Sequence, residues 1–168
     1  PRNVGQVPIY YNVKNTGRPI LNDNPTEDYK SNYIDSPNTP LYPFGHGLSY
    51  TTFEYSEIKL SNDKVRESEI LKASSIITNS GEYDGHEVVQ LYIHDKVASI
   101  TRPVKELKGF KKIFLRKGES KTVTFEINSD DLKFYNNGQL IIESGEFEIA
   151  ISGTSDFEFN KTFKLTLN

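Results

Sequence analysis

From Phe53 onward, alternation of apolar and polar residues with a period of two dominates, and nowhere does the period of 3.6 that an amphipathic helix requires take over. That alternation predicts half-buried strands, each with one face turned to a core. Ile58 and Leu60 share a face of a first strand, and Leu71, Ala73, Ser75 and Ile77 share a face of the next. In the run from Glu87 to His94, Val89, Leu91 and Ile93 point one way. Val88 and Tyr92 point the other, so that second face is expected to be covered as well. Phe110 to Leu115 is predicted to form a hairpin with Thr122 to Ile127 through the short Gly-containing connection Arg116-Lys117-Gly118-Glu119, with Val123, Phe125 and Ile127 facing in. Ser129, followed by Asp130 and Asp131, reads as the N-cap of one helical turn. Leu140 to Glu143, Glu146 to Ser152 and Phe157 to Leu167 complete the strands, the last with Phe157, Phe159, Phe163, Leu165 and Leu167 at even spacing. About seven short strands without a long helix describe an all-β chain, an immunoglobulin-like antiparallel β-sandwich.

The first part of the chain obeys no such period. Residues 1–50 are dense in Pro, Asn and Tyr and form an irregular N-terminal extension, which divides the chain into 1–50 and a sandwich over 51–168. Tyr10, Tyr11, Tyr29, Tyr33 and Tyr42 argue that the extension is pinned on a surface, because disordered segments are poor in aromatics. The polar, acidic spacer from Asn22 to Asp28 is its expected mobile loop. Between the two parts lies Leu-Tyr-Pro-Phe-Gly-His-Gly-Leu-Ser-Tyr-Thr-Thr-Phe, residues Leu41 to Phe53. Pro43 fixes one φ while Gly45 and Gly47 open others, and the rings are too many for a flexible tether. Tyr29, Tyr33, Tyr42, Phe44, His46, Tyr50 and Phe53 are therefore the candidate site residues, as a packed junction between bodies.

Composition removes several functions. The chain of 168 residues has no Cys, which excludes disulfides and thiolate metal sites, and its formal charge of -3 with scattered signs is unlike a nucleic-acid footprint. No apolar run reaches the roughly 18 residues of a membrane-spanning helix. The absence of Met and the start at Pro1 read as a piece of a longer protein. His86 and His94 are too far apart on one strand to share a metal, no calcium-binding loop is present, and no cofactor site is expected. Glu146 and Glu148 alternate with Phe147 and Ile149 and are expected on a solvated face. Gly-x-Ser-x-Gly is absent. Asn160-Lys161-Thr162 is a glycosylation sequon in a host that uses one.

Four motifs carry a family resemblance. Pro1-Arg2-Asn3-Val4-Gly5-Gln6-Val7-Pro8-Ile9-Tyr10-Tyr11-Asn12 and Lys14-Asn15-Thr16-Gly17-Arg18-Pro19 resemble the end of the second domain of family-three glycoside hydrolases, the β-glucosidase and β-xylosidase group. Thr101-Arg102-Pro103-Val104-Lys105-Glu106-Leu107-Lys108-Gly109-Phe110 and Lys117-Gly118-Glu119-Ser120 resemble that family's C-terminal fibronectin type III-like domain. The resemblance implies a parent enzyme whose nucleophile Asp lies in a barrel domain and whose acid/base Glu lies in an α/β domain. The motifs around both are missing here, so no residue of this chain inherits a catalytic role. It implies that the partners are the parent's own barrel and α/β domains, with oligosaccharide met only through the parent, and a periplasmic or secreted location. Val13 departs from the pattern, standing where relatives carry His. A carbohydrate-binding module and a cell-surface spacer are the alternatives, and an absent Trp and an absent repeat count against them.

Overall fold

The computed structural model describes residues 1–14, 33 and 35–167. The spacer from Asn22 to Asp28 and Tyr29 lie outside them. In chain order the strands are β1 (Phe53–Tyr55), β2 (Lys59–Leu60), β3 (Lys64–Arg66), β4 (Leu71–Asn79), β5 (Gly85–Asp95), β6 (Glu106–Leu115) and β7 (Ser120–Ile127). A single turn, α1 (Ser129–Leu132), precedes β8 (Phe134–Asn136), β9 (Gln139–Ile141), β10 (Gly145–Ser152) and β11 (Lys161–Thr166). They build the two-sheet sandwich that the alternation predicts. One sheet runs β3-β11-β10-β5-β6, and in the other β4 pairs with β1 and β2 along one edge and with β7 along the other.

Between the sheets, Val89, Leu91 and Ile93 of β5 and Ile149 of β10 meet Ile77 of β4 and Val123, Phe125 and Ile127 of β7, all buried. Phe147 and Phe163, paired across β10 and β11, stack at 5.3 Å within this core. Such inward positions are the ones where truncation to Ala costs about 2–5 kcal/mol.

The expected hairpin of Phe110–Leu115 with Thr122–Ile127 does not form. β6 pairs with β5, β7 pairs with β4, and the turn at Gly118 (φ +75°) carries the chain from one sheet to the other. A short Gly turn specifies only a reversal of direction; the arms here place Leu115 and Val123 against opposite sides of one core instead of side by side. The helical turn is capped by Asn128 and not by Ser129: the Asn128 side chain accepts from Asp130 N, and the Asp131 carboxylate accepts from Asn128 N at 2.9 Å. The final strand is shorter than its even-spaced rings suggest. β11 begins only at Lys161, and Phe157 and Phe159 turn to the outside of the sheet, where Phe157 meets Tyr92 at 4.9 Å and Phe159 meets His94 at 5.8 Å. The small hairpin β8-β9 turns at Asn137-Gly138, both at positive φ, the conformation of a type I′ turn.

Asn79, fully buried at the end of β4, ties three segments. Its Nδ2 donates to Tyr83 O at 2.8 Å and Leu115 O at 3.1 Å, and its Oδ1 accepts from the Thr51 hydroxyl at 2.5 Å and from Gly81 N at 3.2 Å. Ala at this position leaves those groups unpaired away from water. Asn79→Ala is expected to lower unfolding stability by about 2–4 kcal/mol. Urea unfolding of the chain measures it; a change below about 0.5 kcal/mol, the range of an ordinary surface substitution, contradicts the network.

Candidate functional site

Successive residues of a strand point to opposite sides, so the even-numbered residues of β5 face away from the core. Two of them are nevertheless buried: Tyr92 is 0% exposed and Gln90 is 5% exposed. What covers them is the irregular extension together with the segment after β10. Tyr11 meets the Tyr92 ring edge-on at 6.0 Å, Phe44 stacks on Tyr11 at 4.5 Å, and Phe157 closes the other side. Burial, with Tyr11 nearby, pushes the Tyr92 phenol up to about 12.

Polar groups fasten this layer. The Tyr92 hydroxyl donates to Gln90 Oε1 at 2.5 Å, and Gln90 Nε2 donates to Gly153 O at 2.6 Å. Gly45, at φ +84°, lies against the same amide; a Cβ there would stand 2.5 Å from Gln90 Nε2 and 2.9 Å from Gly153 O. Ser155 N donates to Phe44 O at 2.8 Å. Lys105 Nζ donates to Ser155 O at 2.7 Å and Phe157 O at 2.9 Å and sits over the Phe157 ring at 4.3 Å, with burial pulling its ammonium below the ordinary lysine value. Val104 N donates to Val13 O at 2.9 Å, and Lys14 bridges Pro103. Within the extension, buried Gln6 donates to Ser36 Oγ and Pro37 O and accepts from Arg2 N and Asn3 N.

The sequence candidates fall into different places on this layer. Tyr33 is half-buried and accepts from Val7 N at 2.9 Å. Phe44 keeps 47% of its surface exposed, and Tyr42, 67% exposed, stands 4.8 Å from the His46 ring. Tyr50 is almost wholly exposed. Phe53 lies in β1 and packs against the sandwich core. Gln90, Lys105 and Phe157, which hold the layer down, were not among the candidates; only the placing of Val88 and Tyr92 on a second covered face signals them. A groove of about 620 Å³ opens between extension and sandwich, lined by Tyr10, Tyr42, Phe44, Arg2, Asn12 and Asp156 among others.

The carboxylates expected on a solvated face are tied down in part. Glu146 pairs with Lys96 at 2.6 Å, and Glu148 pairs with His94 at 2.9 Å. Asp95, the last residue of β5, is 7% exposed beside the half-buried Arg102, which bonds Glu106 and lies over the Phe134 ring at 4.4 Å.

A family model described as a fibronectin type III-like domain matches residues 87–155. The chain is 48% identical over 152 residues to a periplasmic β-glucosidase of Salmonella typhimurium, covering 90% of this chain and 20% of that protein. It is 44% identical to a putative β-xylosidase of Formosa agariphila, over 96% of this chain and 20% of that one. Among solved structures, a β-glucosidase from Listeria innocua in complex with glucose superposes with a TM-score of 0.85 at 41% identity, over 96% of this chain and 22% of the other. The chain thus spans about a fifth of the length of the relatives it matches. It carries a fibronectin type III-like sandwich. More particularly, it is the counterpart of the C-terminal part of family-three β-glucosidases and β-xylosidases.

Asp95 generates a pH prediction. Loss of hydration is the largest influence on it and raises its pKa above the ordinary 3.8, with Arg102 and Val97 N opposing. A raised carboxyl binds its proton more readily folded than unfolded, so its contribution to stability falls as pH rises through the window just above 3.8. Asp95→Asn is expected to remove that part of the slope in a denaturation series from neutral pH downward. A slope unchanged by the substitution contradicts the assignment.

Proposed function

We propose that this chain is the accessory C-terminal unit of a β-glycoside hydrolase, docking and stabilising the catalytic domains and supplying no catalytic carboxylate itself. The parent enzyme hydrolyses terminal β-D-glycosidic bonds, with its barrel and α/β domains as the partners of this unit and the periplasm or the cell exterior as its location. The names of the β-glucosidase and β-xylosidase relatives support the activity, and that of the periplasmic relative supports the location. Residues 1–50 are the tail and junction of the preceding domain, and 51–168 are the accessory sandwich.

One observation carries the docking reading. The outer face of the five-stranded sheet is apolar enough to bury Tyr92 under a third layer, and that layer leaves Tyr42 and Tyr50 exposed and Phe44 half-exposed at its own surface. Aromatic side chains bury roughly 150–250 Å² each. At about 25 cal/mol per Å², covering three of them favours docking by several kcal/mol before ordering costs. A retaining glycosidase needs two carboxylates about 5 Å apart across the scissile bond. Glu146 and Glu148 are committed instead to Lys96 and His94.

A second reading has its own observation, since exposed Tyr10 and Tyr42 flank the groove of about 620 Å³ and such rings can stack on a sugar. The two readings separate in the full-length enzyme carrying Phe44→Ala and Tyr50→Ala. Docking gives a lower temperature of thermal inactivation with nearly unchanged KM at permissive temperature. KM raised with thermal inactivation unchanged assigns the rings to sugar and overturns the docking reading. The chain alone is expected to release no nitrophenol from β-glucoside or β-xyloside, and turnover by it overturns the absence of catalytic groups.

A further inference from the structure

The third layer covers only half of the outer face. Beyond sealed Tyr92 and Gln90, Val88 is 39% exposed, and Phe110 and Phe114 of β6 are 68% and 44% exposed. Register puts His86 opposite Phe114, Val88 opposite Lys112 and Gln90 opposite Phe110, so the three apolar side chains share this surface. The junction passes the same strand, β5. Gly45 lies against Gln90, Ser49 and Thr51 lie near Gly85, and between them Leu48 and Tyr50 are 97% and 94% exposed.

On the outer face of the opposite sheet Ile76, 41% exposed, is the exposed large apolar residue among the described strand positions. The outward residues there are Lys72, Ser74, Ile76 and Thr78 of β4 and Thr122, Thr124 and Glu126 of β7, with Lys72 and Glu126 paired at 3.2 Å. Of the two outer sheet faces, the one with Val88, Phe110 and Phe114 carries the larger apolar exposure, as at a binding surface. Its rim is basic. Lys112, Arg116 and Lys121 have no carboxylate partner among the described residues, whereas Lys117 pairs with Glu82, Glu119 accepts from Arg116 N, and Asp84 accepts from Lys117 N.

We propose that Val88, Phe110 and Phe114 form a second docking surface that takes an apolar, carboxylate-flanked element of the same enzyme's remaining domains. The proposal rests on the docking reading above and extends it to a surface that the junction does not cover. Three arguments choose this occupant. The surface continues the half-face already covered by residues 11 and 44. The relatives hold about four-fifths of their length outside the matched part, so a partner surface lies within reach on the same polypeptide. Finally, a second copy would bring the same basic rim, with Lys112 and Arg116, to both sides of the seam and so add like charge there. Lys108, Lys111 and Lys112 on the edge strand β6 likewise oppose strand pairing between copies.

Hydroxyl-radical footprinting of the full-length enzyme and of the chain alone tests this. Phe110 and Phe114 are expected to be modified about five-fold less in the full-length enzyme, as for rings moved from solvent into an interface, and to stay protected on dilution. Protection of Tyr42 and Phe44 with Phe110 and Phe114 still labelled overturns this surface and leaves the docking reading standing. Labelling of all four rings overturns both. Protection that disappears on dilution assigns the surface to a second copy and overturns the proposed occupant. In Lys112→Glu/Arg116→Glu full-length enzyme, whose substitutions lie on exposed residues, protection at low salt is expected to be lost; its retention overturns the carboxylate-flanked partner.

Discussion

Burial of β5 on both of its faces is the constraint on which the remaining architecture depends. Val89, Leu91 and Ile93 fill the space between the sheets, and Tyr92 is equally inaccessible on the reverse side. A sandwich of two sheets can satisfy only the first of these faces. The second requires another layer, and the chain provides it from residues 1–14, 35–50 and 153–159. The opposite sheet has no such need, because its outer positions are Ser, Thr, Lys and Glu apart from Ile76. The molecule is accordingly one-sided, with one mostly polar outer face and one that the chain's own third layer covers in part.

The same constraint explains the polar groups found beneath the layer. Irregular backbone laid over an apolar sheet carries carbonyls and amides that cannot reach water, and each needs a partner. Gln90 reaches Gly153 O, Lys105 reaches two carbonyls of the segment after β10, and Phe44 O accepts from Ser155 N. Gly45 allows the junction to approach the Gln90 amide more closely than any side chain would permit. These contacts fix how the extension lies, and the aromatic stack of Phe44 on Tyr11 over Tyr92 supplies the burial.

Alternation told which face each of β4, β5, β7 and β10 turns to the core, because a period of two is a local property of a strand. Pairing is not local, and there the sequence misleads: β6 and β7 look like the arms of one hairpin and lie in different sheets. Phe157 and Phe159 share the parity of Phe163 and Leu165 yet lie outside, since parity holds only while the strand continues, and β11 starts at Lys161. At the candidate site, Phe44 was legible as a ring between conformationally special residues, and Tyr92 as one member of a second apolar face. Gln90 and Lys105 were not, for a polar side chain reveals its burial only through partners distant in sequence, such as Gly153 and Phe157. Asn128 lost the cap to neighbouring Ser129 in the sequence reading because both residue types cap well.

Hydrogen exchange of the junction backbone tests the docking account most directly. Residues 41–50 have few regular backbone bonds of their own, with His46 N to Pro43 O at 3.0 Å as one of them. Their amides are therefore protected chiefly by whatever lies over them. If this layer is the seat of the catalytic domains, peptides spanning 41–50 exchange at least about ten-fold more slowly in the full-length enzyme than in the chain alone, while β4 and β7 exchange alike in both. Equal exchange of 41–50 in the two proteins would contradict the account.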